Sequence, residues 1–204
     1  DPVLYNLIGA IFAEKNNLEE AIVNYRKSIK IKPDYAPAYN SLGISLQQLE
    51  QFDEALIYYK QAIKIIPNFA QAHNNLGALY RELEQFDEAI LHCKKALEIK
   101  PDFPEAHNNL GIIFESTDKL NEAISHYQEV IKLRPEQAAD FYNKIGAVHQ
   151  KLGDAEKAVT NFQEGLIKRS GIDFEKEEKL RPATTYFFLE LTNKCNFHCE
   201  FCPS

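Results

Sequence analysis

The chain has 204 residues, of which 45% are hydrophobic and 26% are charged, and its formal net charge is −7. This composition fits a globular chain of one or two domains. The negative charge argues against a general nucleic-acid or anionic-membrane surface. From this charge we expect no nucleic-acid partner. No apolar run approaches the ~18 residues of a membrane span and no signal peptide opens the chain, so we expect no membrane partner either. Because three of the four cysteines are clustered rather than spread as a disulfide framework, we expect a cytoplasmic location.

One sequence period of about 34 residues organises most of the chain. Small residues and prolines recur at this period, and the last step is one position longer. They are Gly9, Gly43, Gly77, Gly111 and Gly146; Ala21, Ala55, Ala89, Ala123 and Ala158; and Pro33, Pro67, Pro101 and Pro135. The pattern resembles the tetratricopeptide repeat (TPR) family. The resemblance implies an all-α TPR superhelix of five helix-turn-helix repeats within residues 1–170, at about 2–33, 34–67, 68–101, 102–135 and 136–169.

The third repeat shows the packing that we expect. One face of its first helix follows the i, i+3, i+4, i+7 spacing, and an apolar face of its second helix opposes it. The first face carries His73, Leu76, Gly77 and Tyr80, and the second carries Phe86, Ala89, Ile90, Cys93 and Leu97. A glycine within a helix costs ~1 kcal/mol against alanine. We expect Gly77 to be tolerated because the small Ala89 can approach it closely, and Pro101 to end the second helix.

Amide side chains line the predicted inner side of the first helices. An amide can both donate to and accept from an extended peptide backbone, so we predict a concave groove that binds a protein or peptide. The alternative is that these amides are solvated or bond to one another between repeats. The predicted groove asparagines are Asn6, Asn40, Asn74, Asn75, Asn108, Asn109 and Asn143, accompanied by Gln47, Gln48, Gln71 and Gln150.

Cations on the same side are few and scattered, namely Arg81, Lys144 and Lys151. A TPR clamp for acidic C-terminal tails needs several cations together, so we do not expect capture of such tails. The amide lining is also similar to the TPR region of O-linked N-acetylglucosamine transferases. That interpretation requires a glycosyltransferase domain downstream, whereas the sequence after the repeats leads into a predicted strand and a loop with cysteines.

The histidines and Cys93 occupy equivalent repeat positions, which favours packing over metal ligation. His73 and His107 are separated by one repeat period, as are His92 and His126. Cys93 stands where other repeats have Tyr or Phe, so we interpret it as a small buried hydrophobic residue.

The repeat pattern ends after about residue 170. Residues 171–183 are charged and end shortly after a proline, so we predict either a linker or a short capping helix. Residues 184–191, T-T-Y-F-F-L-E-L, are rich in β-branched and aromatic residues and predict a strand.

Cys195, Cys199 and Cys202 form a C-x3-C-x2-C triplet shortly after this predicted strand. Thiolates favour zinc or iron–sulfur clusters. The triplet in this context resembles the radical S-adenosylmethionine (SAM) enzymes, which carry such a motif on the loop after the first strand of a β/α barrel. The resemblance implies that the three cysteines bind a [4Fe–4S] cluster, that S-adenosyl-L-methionine binds its open iron, and that Phe201 packs near the adenine. Residues 184–204 would then be the start of a truncated barrel.

These features suggest the N-terminal part of a radical SAM enzyme whose TPR repeats recruit a protein or peptide. The fragment itself is expected to be inactive, because a barrel of this kind needs ~200 or more residues. The alternative is a non-enzymatic TPR scaffold whose terminal cysteines hold zinc, with His198 as a fourth ligand, or nothing.

Overall fold

A computed structural model describes residues 1–170, which fold into ten α-helices and one short 3₁₀ helix. The first and second helices of each repeat alternate along the chain. Their bounds are α1 Pro2–Glu14, α2 Leu18–Ile31, α3 Ala36–Gln48, α4 Phe52–Ile65, α5 Ala70–Glu82, α6 Phe86–Ile99, α7 Pro104–Ser116, α8 Leu120–Leu133, α9 Ala138–Lys151 and α10 Ala155–Ser170, with the 3₁₀ turn at Pro135–Gln137.

The chain divides into two compact units, and the boundary falls within α7. Unit 1 comprises residues 1–113, and consecutive helices from α1 to α6 pack against each other within it. Unit 2 begins at Phe114 and is described to residue 170; in it α9 packs against both α8 and α10.

The turn inside each repeat ends the first helix in the same way. One residue adopts a left-handed conformation, with φ between 56° and 75°, at Asn16, Glu50, Glu84, Asp118 and Gly153. At the first turn, Asn17 N–H donates to Phe12 C=O and Asn16 N–H donates to Ala13 C=O, and each later turn repeats this pair of bonds. These bonds satisfy carbonyls that the helix end would leave unpaired. The period of the repeats is therefore visible in the backbone as well as in the sequence.

Glycine allows the two helices of a repeat to approach closely. A Cβ on Gly43 would lie 2.7 Å from Cε1 of Tyr59, whose ring is fully buried. A Cβ on Gly9 would likewise clash with the ring of Tyr25, and a Cβ on Gly146 would clash with the ring of Phe162.

The third repeat packs differently from what the sequence predicts. The Cβ position of Gly77 lies nearest to Cys93 Sγ, at 2.5 Å, and Ala89 contributes only its backbone oxygen, at 3.1 Å. Cys93 takes the place of the ring, so it is the side chain that requires glycine there.

Small alanines form the contacts between successive repeats of unit 1. Ala36, Ala62 and Ala72 are fully buried in one cluster. Ala70, Ala96 and Ala106 form the next cluster together with Phe103. α1 has no helix before it in the described chain. Four of its aliphatic side chains are about half exposed: Val3, Leu4, Leu7 and Ile11.

The prediction of an all-helical TPR fold is confirmed for residues 1–170. α6 ends at Ile99, before Pro101. The predicted linker or capping helix at 171–183, and the predicted strand and cluster loop at 184–204, lie outside the described residues.

Candidate peptide-binding groove

The predicted groove asparagines of unit 1 form a hydrogen-bonded ladder between repeats. Asn75 Nδ2 on α5 donates to Asn40 Oδ1 on α3, at 3.0 Å. Asn109 Nδ2 on α7 donates to Asn74 Oδ1 on α5, at 2.9 Å. Asn74 Nδ2 reaches Asn75 Oδ1 at 3.4 Å, which joins the two bonds. We call Asn40, Asn74, Asn75 and Asn109 the asparagine ladder.

Three members of the ladder are buried: Asn40, Asn74 and Asn109 are 8%, 6% and 7% exposed. Because their side chains bond to one another, the ladder holds neighbouring repeats together. Contact of these asparagines with a peptide stays a prediction, and the geometry assigns them a structural role first.

The asparagine ladder does not extend from α3 to α1, because α3 lacks the donor asparagine. Asn6 on α1 is equivalent to Asn40 and Asn74, and its Oδ1 is buried without a hydrogen-bond partner. The residue equivalent to the donors Asn75 and Asn109 is Ser41. The side chain of Ser41 is shorter than that of asparagine.

The other predicted amides lie apart from the ladder. Asn143 in unit 2 turns towards α10, with its Oδ1 2.6 Å from the Cβ position of Gly165. Asn108 is partly buried and has an interaction partner. Gln71 and Gln150 are exposed.

A pocket of about 330 Å³ opens between α3 and α5 beside the ladder. Its apolar surface comes from Ile44 and Ala78, and its polar surface is mostly amide and carboxylate. Gln47 Oε1 accepts a hydrogen bond from Tyr59 at 2.8 Å, which fixes that amide in place. The lining residues are Ile44, Gln47, Gln48, Tyr59, Asn75, Ala78 and Glu82.

Sequence reasoning found the amides of this pocket and missed Ile44, Tyr59, Ala78 and Glu82. A signal for three of them was present. Ala78 follows Ile44 by one repeat period, and Glu82 follows Gln48 by the same period. Following each first-helix position through the repeats would have shown an apolar row beside a polar row.

Arg81 is the only cation on α1, α3 and α5, and it lies next to the pocket residue Glu82. Its Nη1 donates to Asn109 Oδ1 at 2.9 Å, and its Nη2 lies 3.7 Å from Glu82 Oε1. Only 23% of the Arg81 side chain is exposed. The guanidinium is therefore tied into the end of the ladder.

The histidines of the third repeat form a stacked pair. His73 Nδ1 and His92 Nδ1 are 3.0 Å apart, and His73 Nε2 lies 3.0 Å from the Pro67 carbonyl. Since a carbonyl oxygen only accepts hydrogen bonds, the proton of His73 is on Nε2. The Nδ1–H group of His92 therefore donates to Nδ1 of His73. Burial, followed by the neighbouring His73 and Lys60, lowers the pKa of His92 to about 4. A packing role for these histidines agrees with this geometry.

Cys93 is fully buried, and burial raises the pKa of its thiol to about 12. Within residues 1–170, no group of three His, Cys, Asp or Glu side chains is placed to hold a metal ion.

Cys195, Cys199, Cys202 and Phe201 lie outside the described residues, so the cluster and S-adenosylmethionine sites stay predictions. In the part of the chain that the structure describes, no helix is long and apolar enough to cross a membrane.

The repeated helix pairs, their left-handed turns and their glycine contacts define a helical repeat protein. The tetratricopeptide repeat profile matches residues 36–69, 70–103 and 104–137, three segments that together make up half of the chain. Related repeat profiles match residues 9–50 and 139–166. The chain belongs to the tetratricopeptide repeat family.

Solved structures show the same fold. A crystal structure of MamA is 24% identical, with a TM-score of 0.71, and the match covers 84% of this chain and 97% of that one. MamA from Desulfovibrio magneticus RS-1 is 20% identical, with a TM-score of 0.73 and coverage of 84% and 97%. YrrB, described as a TPR protein with an unusual peptide-binding site, is 23% identical, with a TM-score of 0.65 and coverage of 82% and 86%. No curated protein matches the chain.

The prediction of a radical SAM enzyme is wrong. The family matches and the similar structures all point to a TPR-repeat protein. The prediction depended on a closely spaced trio of thiols, and such a short spacing also suits a zinc site or free thiols. The interpretation of the chain as a TPR protein-interaction scaffold fits these findings better.

Proposed function

We propose that this chain is a protein-interaction scaffold that binds an extended segment of a partner protein along α1, α3 and α5. The observation that supports this most directly is the open pocket between α3 and α5, which joins an apolar surface to oriented amides. Peptide sites commonly combine these two kinds of surface, because backbone hydrogen bonds give affinity and side-chain pockets give specificity.

The pocket also has polar groups left for a ligand. Gln47 uses Oε1 to hold the Tyr59 hydroxyl, so its NH₂ group can donate to a peptide carbonyl. Gln48 is exposed and can donate and accept at once. Ile44 is 38% exposed, so an apolar side chain placed on it would be removed from water.

The test is a selection of peptides from a random library displayed on phage, with the whole chain as the target. Affinities of the selected peptides are then measured by fluorescence anisotropy. Ile44→Asp should weaken binding at least tenfold, because it places a charge on the apolar surface of the pocket. Ile57→Asp is the matched control, since Ile57 is 64% exposed on α4 and does not line the pocket. Equal affinity in both variants would contradict the proposal.

A further inference from the structure

The first helices of unit 1 differ in charge from the second helices. α1, α3 and α5 together carry two carboxylates, Glu14 and Glu82, and a single cation, Arg81. The second helices α2, α4 and α6 carry seven cations and seven carboxylates, which balance. They are Arg26, Lys27, Lys30, Lys60, Lys64, Lys94 and Lys95, and Glu19, Glu20, Asp53, Glu54, Asp87, Glu88 and Glu98. Charged side chains are therefore sparse on the first helices, and two carboxylates against one cation leave an excess of one negative charge there.

The two carboxylates occupy one row. Glu14, Gln48 and Glu82 follow one another at the repeat period, so they hold the same position in the first helices of three successive repeats. All three side chains are exposed. We call them the acidic row. Gln48 and Glu82 also line the pocket, which places these two members of the row at the site proposed above, whereas Glu14 lies on α1 outside the pocket.

Arg81 only partly offsets the charge of Glu82. Its Nη1 is held by Asn109, and its Nη2 is 3.7 Å from Glu82, a distance typical of a weak surface pair. The Glu82 side chain is 38% exposed, so its carboxylate is accessible from the pocket side.

An apolar row runs beside the acidic row. Ala10, Ile44 and Ala78 share one repeat position, and the latter two line the pocket. The aliphatic stem of a lysine or arginine covers apolar surface while its charged head stays near water and carboxylates. Aliphatic surface and carboxylate lie within one pocket, and this is the combination that a long cationic side chain requires.

From this arrangement we infer that the partner segment is basic and apolar, with a lysine or arginine side chain lying over Ile44 and Ala78 and its cation at Glu82. The inference rests on the proposed function, because it names the chemistry of the ligand for the same groove. The formal net charge of −7 would also speed association with such a segment at low salt.

The residue composition of the peptides selected on the whole chain tests the inference. We expect enrichment of Lys or Arg next to aliphatic residues. The double variant Glu14→Gln/Glu82→Gln should bind these peptides with about three- to tenfold lower affinity at low ionic strength. This loss of affinity should be smaller at roughly 0.5 M salt, where exposed charges are screened. Glu19→Gln/Glu20→Gln makes the same change of charge on α2, outside the pocket, and should change affinity less than twofold.

The outcomes separate the two proposals. Peptides that are sensitive to Ile44→Asp but lack basic residues, or that are acidic, would overturn the inference and leave the groove intact as a binding site. The inference would also be overturned if both double glutamine variants lowered the affinity for basic peptides equally. The effect would then come from net charge alone. If no peptide bound in a manner sensitive to Ile44→Asp, both proposals would be wrong.

Discussion

At the scale of single residues, the His73–His92 pair makes stability depend on pH. Burial is the first cause that lowers the pKa of both histidines, and that of His92 falls to about 4. Lys60 disfavours a proton on His92, whereas Glu88 partly favours it. A second proton on His73 would also set two N–H donors against each other, because its Nε2 already donates to Pro67.

The sign of the pH dependence follows from these shifts. An unfolded histidine takes up a proton near pH 6.5, whereas folded His92 has a pKa of about 4 and burial lowers the pKa of His73 in the same direction. Stability is therefore complete above pH 6.5 and is lost as the pH falls through this window, by on the order of 1–3 kcal/mol. Urea denaturation at pH 7 and pH 5 measures this loss.

A matched control comes from the preceding repeat, in which Tyr39 and Tyr58 hold the equivalent positions and Tyr39 donates to the Pro33 carbonyl. The variant His73→Tyr/His92→Tyr copies that pair and removes both histidines. Its loss of stability between pH 7 and pH 5 should be clearly smaller than that of the wild type. An equal loss would show that other groups control the pH dependence.

Cys93 provides a second prediction at this scale. Because burial raises the pKa of its thiol to about 12, almost none of it is the reactive thiolate at pH 8. Alkylation of Cys93 by iodoacetamide should be at least a hundredfold slower in the folded chain than in urea. Peptide mapping by mass spectrometry separates Cys93 from the other three cysteines, and rapid labelling under native conditions would contradict the buried position.

At the scale of helices and turns, the left-handed residue of a repeat costs stability where it is not glycine. Gly153 adopts φ 75° without steric cost, whereas Glu84 adopts φ 56° with a side chain. A non-glycine residue in this region costs roughly 1–2 kcal/mol. Glycine also gains conformational entropy in the unfolded state, and this gain offsets part of the stability that is won by removing the steric cost. Glu84→Gly should therefore stabilise the chain by about 0.5–1 kcal/mol in urea denaturation.

Glu88→Gly is the control for the turn. Glu88 lies in the first turn of α6, where glycine should destabilise by up to ~1 kcal/mol. The same substitution should thus have opposite signs at positions 84 and 88. Destabilisation at both would mean that the Glu84 side chain makes contacts that outweigh the backbone strain.

The asparagine ladder couples helices of neighbouring repeats. Asn74→Ala removes the acceptor of Asn109 and the donor to Asn75. Because Asn109 is 7% exposed, its amide would lose a partner without full access to water, at a cost of about 1–3 kcal/mol. Gln71→Ala, at an exposed position on the same helix, should cost less than ~0.5 kcal/mol. Similar losses in the two variants would show that the ladder contributes nothing specific.

At the scale of the whole molecule, the cysteine triplet can be tested separately from the repeats. If Cys195, Cys199 and Cys202 hold the predicted [4Fe–4S] cluster, the chain reconstituted without oxygen should contain iron and acid-labile sulfide. Cys199→Ala should lose both while its helical circular dichroism stays unchanged, because α1 to α10 use none of these residues. One zinc ion without sulfide would contradict the cluster, and loss of helical signal would indicate that the thiols stabilise the fold.

The family and the helical class were predictable from the sequence because both depend on periodicity. The repeat period fixes which first-helix residue must be small, such as Gly43 against Tyr59, and it does so again in the neighbouring repeats. The enzymatic prediction failed because the triplet is a short local pattern, and the same spacing of thiols serves several chemistries.

What the sequence determined by itself was the order of helices and the side of each helix that carries amides. Only the tertiary structure decided that Asn40, Asn74 and Asn109 form hydrogen bonds within the ladder. It also decided that Ile44 and Glu82 line the same pocket. The physical reason is that an amide takes whichever partner comes within about 3 Å. That distance is set by the close stacking of alanines between repeats, which involves residues far apart in the chain.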